Sequence, residues 1–180
     1  MINVLPFYVP VSVFKVKNWE DKRKILEKSL SDIRRIDSKD EFITTDFHDF
    51  EGDKINASEV FKEELEEFCK TINATSFKVK KSWIEDQEKD MYHCVHNHGA
   101  IGFSAICYLN FDKNVHRSVK FVSPFNNWQN GVQMDWSPED EGIDIEESTI
   151  IFFPSFLLHY TFSNNSDKRR TVVSFNFDYV

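Results

Sequence analysis

The chain has 180 residues, a formal net charge of −8 at pH 7, 41% hydrophobic residues and 18 phenylalanines. That length suits one domain with a full core, spanning residues 1–180, and the apolar content excludes a disordered chain. The acidic balance argues against nonspecific binding to nucleic acid or to an anionic membrane, and no apolar run approaches the ~20 residues of a membrane span.

No basic segment leads into an apolar one at the N-terminus, so a soluble, cytoplasmic protein is expected. Three cysteines, Cys69, Cys94 and Cys107, form no C-x-x-C pair. Their odd number argues against a disulfide framework and for a reducing compartment.

In chain order, residues 2–14 read as an apolar strand. A helix follows from Asn18 or Trp19, with Ile25, Leu26, Leu30 and Ile33 on one stripe. Residues 37–53 are polar and acidic and read as a connection, with a short strand at Phe42-Ile43. A second helix opens on Asn56-Ala57-Ser58-Glu59, which resembles a capping box, and repeats Val60, Phe61, Leu65, Phe68, Cys69 and Ile72 at helical spacing.

From Thr75 the pattern turns to strands at 77–84, 92–98, 102–111, 118–122, 148–153 and 170–177. Lys78, Lys80 and Lys81 mark an exposed edge rather than a basic stripe. Residues 126–144, with Trp128, Trp136 and many acids, show few strand signals and read as a loop or lid. A mainly β chain with two supporting helices and no internal repeat suggests a double-stranded β-helix, the jelly-roll or cupin-like barrel.

The chemistry concentrates in two segments. The first is Tyr92-His93-Cys94-Val95-His96-Asn97-His98. Side chains at i and i+2 of a strand share a face, so His96 and His98 can reach one metal ion if this stretch is extended. Cys94 shares that alternation and keeps a zinc reading open. The second is His159, which ends an apolar run, followed by the turn Ser163-Asn164-Asn165-Ser166-Asp167 and by Arg169-Arg170 at a strand start. The turn brings Arg170 back beside His159, on the strand parity of Ser174 and Asn176. A metal with open positions next to a fixed planar cation suits a dicarboxylate that chelates with one end and receives two parallel N–H bonds at the other. His48, His93 and His116 read as structural or surface histidines.

These residues carry a family resemblance. The H-x-H motif, the following small-residue strand Phe103-Ser104-Ala105-Ile106-Cys107-Tyr108-Leu109, and the block running from Ile150 to His159 with Arg170 and Ser174-Phe175-Asn176-Phe177 resemble the small group of Fe(II)- and 2-oxoglutarate-dependent oxygenases. Ser82-Trp83 ahead of the histidines fits as well. The resemblance implies Fe(II) at His96 and His159, with either His98 or water completing a face. It implies 2-oxoglutarate with its distal carboxylate on Arg170 and a hydroxyl such as Ser174 or Tyr108, and Tyr92 as a further contact. Dioxygen and an unidentified prime substrate, an amino-acid or protein side chain, complete the expected reaction, a hydroxylation coupled to decarboxylation of 2-oxoglutarate to succinate.

The chain departs from the wider superfamily at three places. His98 stands where a carboxylate is usual, Glu147 or Ser148 where a glycine is common, and Val172 where many relatives have serine. Two other readings use the same residues. One is a non-oxidative cupin-like protein binding zinc or nickel through Cys94, His96, His98 and His159. The other is a metal-free structural β-sandwich.

Overall fold

The computed structural model describes residues 9–32, 43–47, 55–124, 128–129, 132–133 and 135–180. Its elements are β1 (Ser12–Lys15), α1 (Trp19–Asp32), β2 (Thr44–Thr45), α2 (Ala57–Val60), α3 (Lys62–Thr71), β3 (Phe77–Gln87), β4 (His93–His96), β5 (Phe103–Asn110), β6 (Lys120–Val122), β7 (Trp128–Gln129), β8 (Val132–Gln133), β9 (Asp135–Trp136), β10 (Thr149–Pro154), β11 (His159–Thr161) and β12 (Arg170–Tyr179). The strands form a six-stranded sheet ordered β1-β10-β5-β12-β3-β2 and a four-stranded sheet ordered β4-β11-β6-β9, with β7 and β8 paired apart. Every pairing is antiparallel. This is the double-stranded β-helix expected from the strand pattern.

Strand alternation divides the core in two. Phe103, Ala105, Cys107 and Leu109 of β5, Ile150 and Phe152 of β10, and Val173, Phe175 and Phe177 of β12 bury one face of the large sheet against the helices. Phe61 stacks on Phe175 with ring centroids 5.4 Å apart, and Phe68 stacks on Phe152 at 4.8 Å. The alternate residues Ile106, Tyr108, Ile151, Phe153 and Val172 meet Phe121 of the small sheet and Val119 just ahead of it inside the barrel. Lys22 on α1 and the backbone N–H of Lys17 both donate to the buried Glu64 carboxylate, which ties α1 to α3.

Several expectations need correction. Ile25 is 53% exposed and does not belong to the stripe of α1, which is buried as expected at Leu26, with Leu30 and also Trp19 packed beside it. The opening strand is the short β1; residues 2–8 and Ile33 lie outside the described residues, as do Phe42 and His48. The short strand expected at Phe42-Ile43 is Thr44–Thr45.

Asn56 is the N-cap of α2, but its side chain bonds Ser58 and Glu59 rather than the backbone, so no capping box forms there. The helical repeat breaks at Phe61, between α2 and α3. A capping box does form within 126–144, between Ser137 and Asp140. That region, expected as a loop or lid with few strand signals, holds the two-residue strands β7, β8 and β9. β9 pairs with β6, where Trp136 packs on Phe121 at 5.9 Å.

Candidate metal and co-substrate site

His159 opens β11 directly opposite His96 at the end of β4. The ladder between them is irregular: His96 faces His159 and His93 faces Thr161, so three steps along β4 answer two along β11. This bulge turns His93 and His96 toward the same side, and their rings stack at 3.8 Å with 20° between planes. Cys94 is thereby left exposed. His96, His98 and His159 form the metal-capable group, their ligand nitrogens all within 4.8 Å of one another, and it contains no cysteine. The four-ligand zinc or nickel arrangement that included Cys94 is therefore not assembled, because the bulge breaks the simple alternation on which it depended.

Two of these imidazoles have defined tautomers. Nδ1 of His96 lies 2.8 Å from the Cys94 carbonyl and Nδ1 of His159 lies 2.9 Å from the Leu157 carbonyl. A carbonyl can only accept, so each Nδ1 carries the proton and each Nε2 keeps its lone pair. Burial lowers the pKa of all three histidines, helped by repulsion from His93 at His96 and from His96 at His98 and His159; His159 falls well below its ordinary value and His98 to about 4. At neutral pH the three are uncharged donors, the form a metal requires.

Arg170 begins β12 on the barrel-interior face and is only 2% exposed. Its Nη1 donates to Gln87 Oε1 at 3.2 Å and its Nε to the Arg117 carbonyl at 3.3 Å, while its guanidinium lies 5.3 Å from the Tyr108 ring centroid. Gln87 is itself held by a 2.6 Å bond from its Nε2 to Thr161 Oγ1. Arg169 points the other way and pairs with Asp86 and Glu88. The Tyr108 hydroxyl accepts from Val119 N–H at 3.1 Å. Tyr92 is half-buried just ahead of β4. His116 is buried and structural, its Nδ1 accepting from Asp112 N–H and its Nε2 facing the Lys168 carbonyl.

Three buried polar side-chain atoms among the described residues have no partner: His96 Nε2, Arg170 Nη2 and Ser174 Oγ. Unpaired buried donors and acceptors are costly, and these fit a metal ion at the first and an anionic oxygen at the other two. Beside the histidines opens a pocket of about 170 Å³ that Ile43, Phe47, Trp83, Glu85, His93 and Asn97 help to line. Burial opposes the charged form of Glu85, but His93 and Trp83 outweigh it and hold the carboxyl well below its usual range.

Sequence reasoning had assigned no role to Glu85 or Gln87 and had read His93 as a bystander. The parity of β3 with Trp83 was the available signal for the first two, and nothing in the pattern marked the bulge.

A family model described as "Putative 2OG-Fe(II) oxygenase" matches residues 81–176, more than half of the chain, including His96, His98, His159, Arg170 and Ser174. The chain belongs to this family. The family is Fe(II)- and 2-oxoglutarate-dependent, which removes the metal-free sandwich from consideration.

No protein of curated function matches this oxygenase in sequence. Solved structures share its fold at low identity. HygX from Streptomyces hygroscopicus, solved with nickel, 2-oxoglutarate and hygromycin B, is 11% identical over 94% of this chain and 83% of its own, with a TM-score of 0.61. The viral collagen prolyl hydroxylase of Paramecium Bursaria Chlorella virus-1, in a 2-oxoglutarate complex, is 9% identical over 94% of this chain and 96% of its own, at 0.61. AviO1 from Streptomyces viridochromogenes is 8% identical over 94% and 90%, at 0.66. Among the described residues, no helix is long and apolar enough to cross a membrane.

Proposed function

We propose that this oxygenase is a hydroxylase that binds Fe(II) through His96, His98 and His159 and holds 2-oxoglutarate with Arg170 and Ser174. The observation that carries the proposal is the set of three orphaned buried atoms, His96 Nε2, Arg170 Nη2 and Ser174 Oγ. One is a lone-pair donor in the histidine group; the other two lie on one face of β12, whose first residue is Arg170.

When bound, Fe(II) and 2-oxoglutarate supply the oxidising power: dioxygen is consumed, 2-oxoglutarate loses carbon dioxide to give succinate, and the second oxygen atom enters the substrate as a hydroxyl. The chain's own residues position and exclude. The Cys94 and Leu157 carbonyls fix the imidazole tautomers. Gln87 and the Arg117 carbonyl hold the guanidinium so that Nη2 is left to donate to a carboxylate. Phe121 and Phe153 flank His159 and keep water from it, with ring centroids 6.2 and 4.8 Å away. Tyr108 and Tyr92 are proposed as further co-substrate contacts. The pocket beside His96 and His98 is the proposed seat of the prime substrate, an amino-acid or protein side chain. Its volume of about 170 Å³ is below the ~300–1,000 Å³ of sites for drug-sized ligands and suits a single side chain.

Anaerobic titration of the metal-free protein with Fe(II) and then 2-oxoglutarate tests this reading. A weak visible charge-transfer band that needs both additions, followed by succinate formation on admitting oxygen, is the expected result. Zinc occupancy with no such band would overturn it.

A further inference from the structure

We infer that Glu85 supplies, from outside the coordination sphere, the negative charge that a 2-His-1-carboxylate site carries in its third ligand. It is a positioning residue that acts through the rings beside it, and the inference rests on the metal reading above. Glu85 is on the inner face of β3 and only 7% exposed. Its Oε2 lies 3.2 Å from His93 Nδ1 and its Oε1 accepts from Trp83 Nε1 at 2.8 Å. Each of those rings rests on a proposed ligand: His93 stacks on His96 at 3.8 Å, and Trp83 packs against His98 at 5.2 Å. Both oxygens of one buried carboxylate are thus tied to rings that touch the metal group. The β4 bulge is what brings His93 into this chain of contacts.

The charge balance gives the carboxylate its purpose. In a site with two histidines and one carboxylate, the ion and its ligands carry one positive charge fewer than with three neutral imidazoles. Here His98 occupies the place usual for that acid. Fe(II) and doubly charged 2-oxoglutarate cancel, so with the buried Arg170 guanidinium that binds the co-substrate the set carries one net positive charge. An uncompensated buried charge is costly. Glu85 is the one carboxylate among the described residues lining the pocket next to His96 and His98. A role confined to holding Trp83 and His93 in place would give the same contacts, but it would not depend on what occupies position 98.

That dependence is the test. Co(II), an air-stable stand-in for Fe(II), is titrated calorimetrically into metal-free protein, so that no turnover enters the readout. Glu85→Gln is expected to weaken Co(II) binding by roughly 10–100-fold, the range typical of partners that support metal ligands. In the His98→Asp background, where the charge sits in the coordination sphere, the same change should cost no more than about threefold, a clear departure from additivity. Equal losses in the two backgrounds would make Glu85 merely structural, and no loss in either would remove it altogether; both overturn the inference. If Glu85→Gln does not fold, His93→Asn replaces it: it severs the carboxylate from the His96 ring, and its loss should again vanish with His98→Asp, equal losses counting against the idea. Failure of the unaltered protein to bind Co(II) would instead overturn the proposed function.

Discussion

Along β5 and β12, Phe103, Ala105, Cys107, Leu109, Val173, Phe175 and Phe177 face the helices, while Ser104, Tyr108, Arg170, Ser174 and Asn176 alternate with them on the face toward the small sheet. The outer face is apolar without exception at these positions and is closed by ring stacking. The inner face buries hydroxyls and a guanidinium and holds the half-buried Asn176 amide, and among them lie two of the three unpartnered buried atoms. Because the two sets interleave residue by residue, the backbone that carries the site is fixed by the packing behind it. Stability and function are separable by parity, and substitutions one residue apart should have different signatures.

The largest effects should come from one deletion on each side. His159→Ala removes a proposed ligand and should lower metal affinity by well over the ~100-fold upper range of a supporting partner, with the metal-free protein still folded. Phe68→Ala strikes the outer face, where Phe68 touches Phe152, Phe103 and Phe177 at 4.8, 4.9 and 5.8 Å. It should cost about 3–5 kcal/mol of stability and leave metal and 2-oxoglutarate affinities intact below its lowered melting temperature. Loss of metal binding in folded Phe68→Ala, or its retention in His159→Ala, would break the division between the faces.

A sharper version uses neighbours. Arg170→Lys keeps a positive charge and loses the planar fork, so the apparent constant for 2-oxoglutarate should rise about tenfold, equivalent to ~1.4 kcal/mol, with metal affinity little changed. Arg169→Lys should leave that constant unaltered, since Arg169 faces away from the barrel interior and pairs with Asp86 and Glu88. Isothermal titration with 2-oxoglutarate in the presence of a non-reactive metal distinguishes them; equal responses from the two variants would end the parity argument.

The parity of β5, β10 and β12 was legible because long buried strands alternate regularly, and the H-x-H motif and the turn before Arg170 were legible as local chemistry. Three features were not. The β4 bulge depends on pairing with a strand far along the chain, so His93 looked like one more exposed histidine and Cys94 like a ligand. Glu85 and Gln87 lie in Ser82-Trp83-Ile84-Glu85-Asp86-Gln87, where acids and amides suggest a solvated strand end, yet β12 and β2 flank this stretch and bury it. Ile25 was placed on the stripe of α1 beside Leu26 and Leu30 because Ile25 and Leu26 both fit the helical spacing, and only tertiary packing shows that Leu26 is the buried one.

The smallest effect concerns neither face but the turn where β10 begins. Ser148 has φ 72°, in the left-handed region that costs a side-chain-bearing residue roughly 1–2 kcal/mol. The family resemblance implies a glycine at 147 or 148, and at Ser148 the side chain carries a conformational cost. The backbone is held there by Ser148 N–H donating to the Tyr108 carbonyl at 3.0 Å and by the Ser148 carbonyl accepting from Val16 N–H at 2.8 Å, bonds that glycine retains. Glycine relieves the strain but loses about 0.5–1 kcal/mol through the greater freedom of its unfolded chain. The balance favours Ser148→Gly by about 0.5–1 kcal/mol, and for a chain of 180 residues this raises the melting temperature by roughly 1–4 °C. Calorimetric melting of the metal-free protein checks it. Because the substitution touches neither face, Co(II) and 2-oxoglutarate affinities should stay at their original values, and a decrease in either would mean that the turn positions the inner face as well as joining it to the outer one.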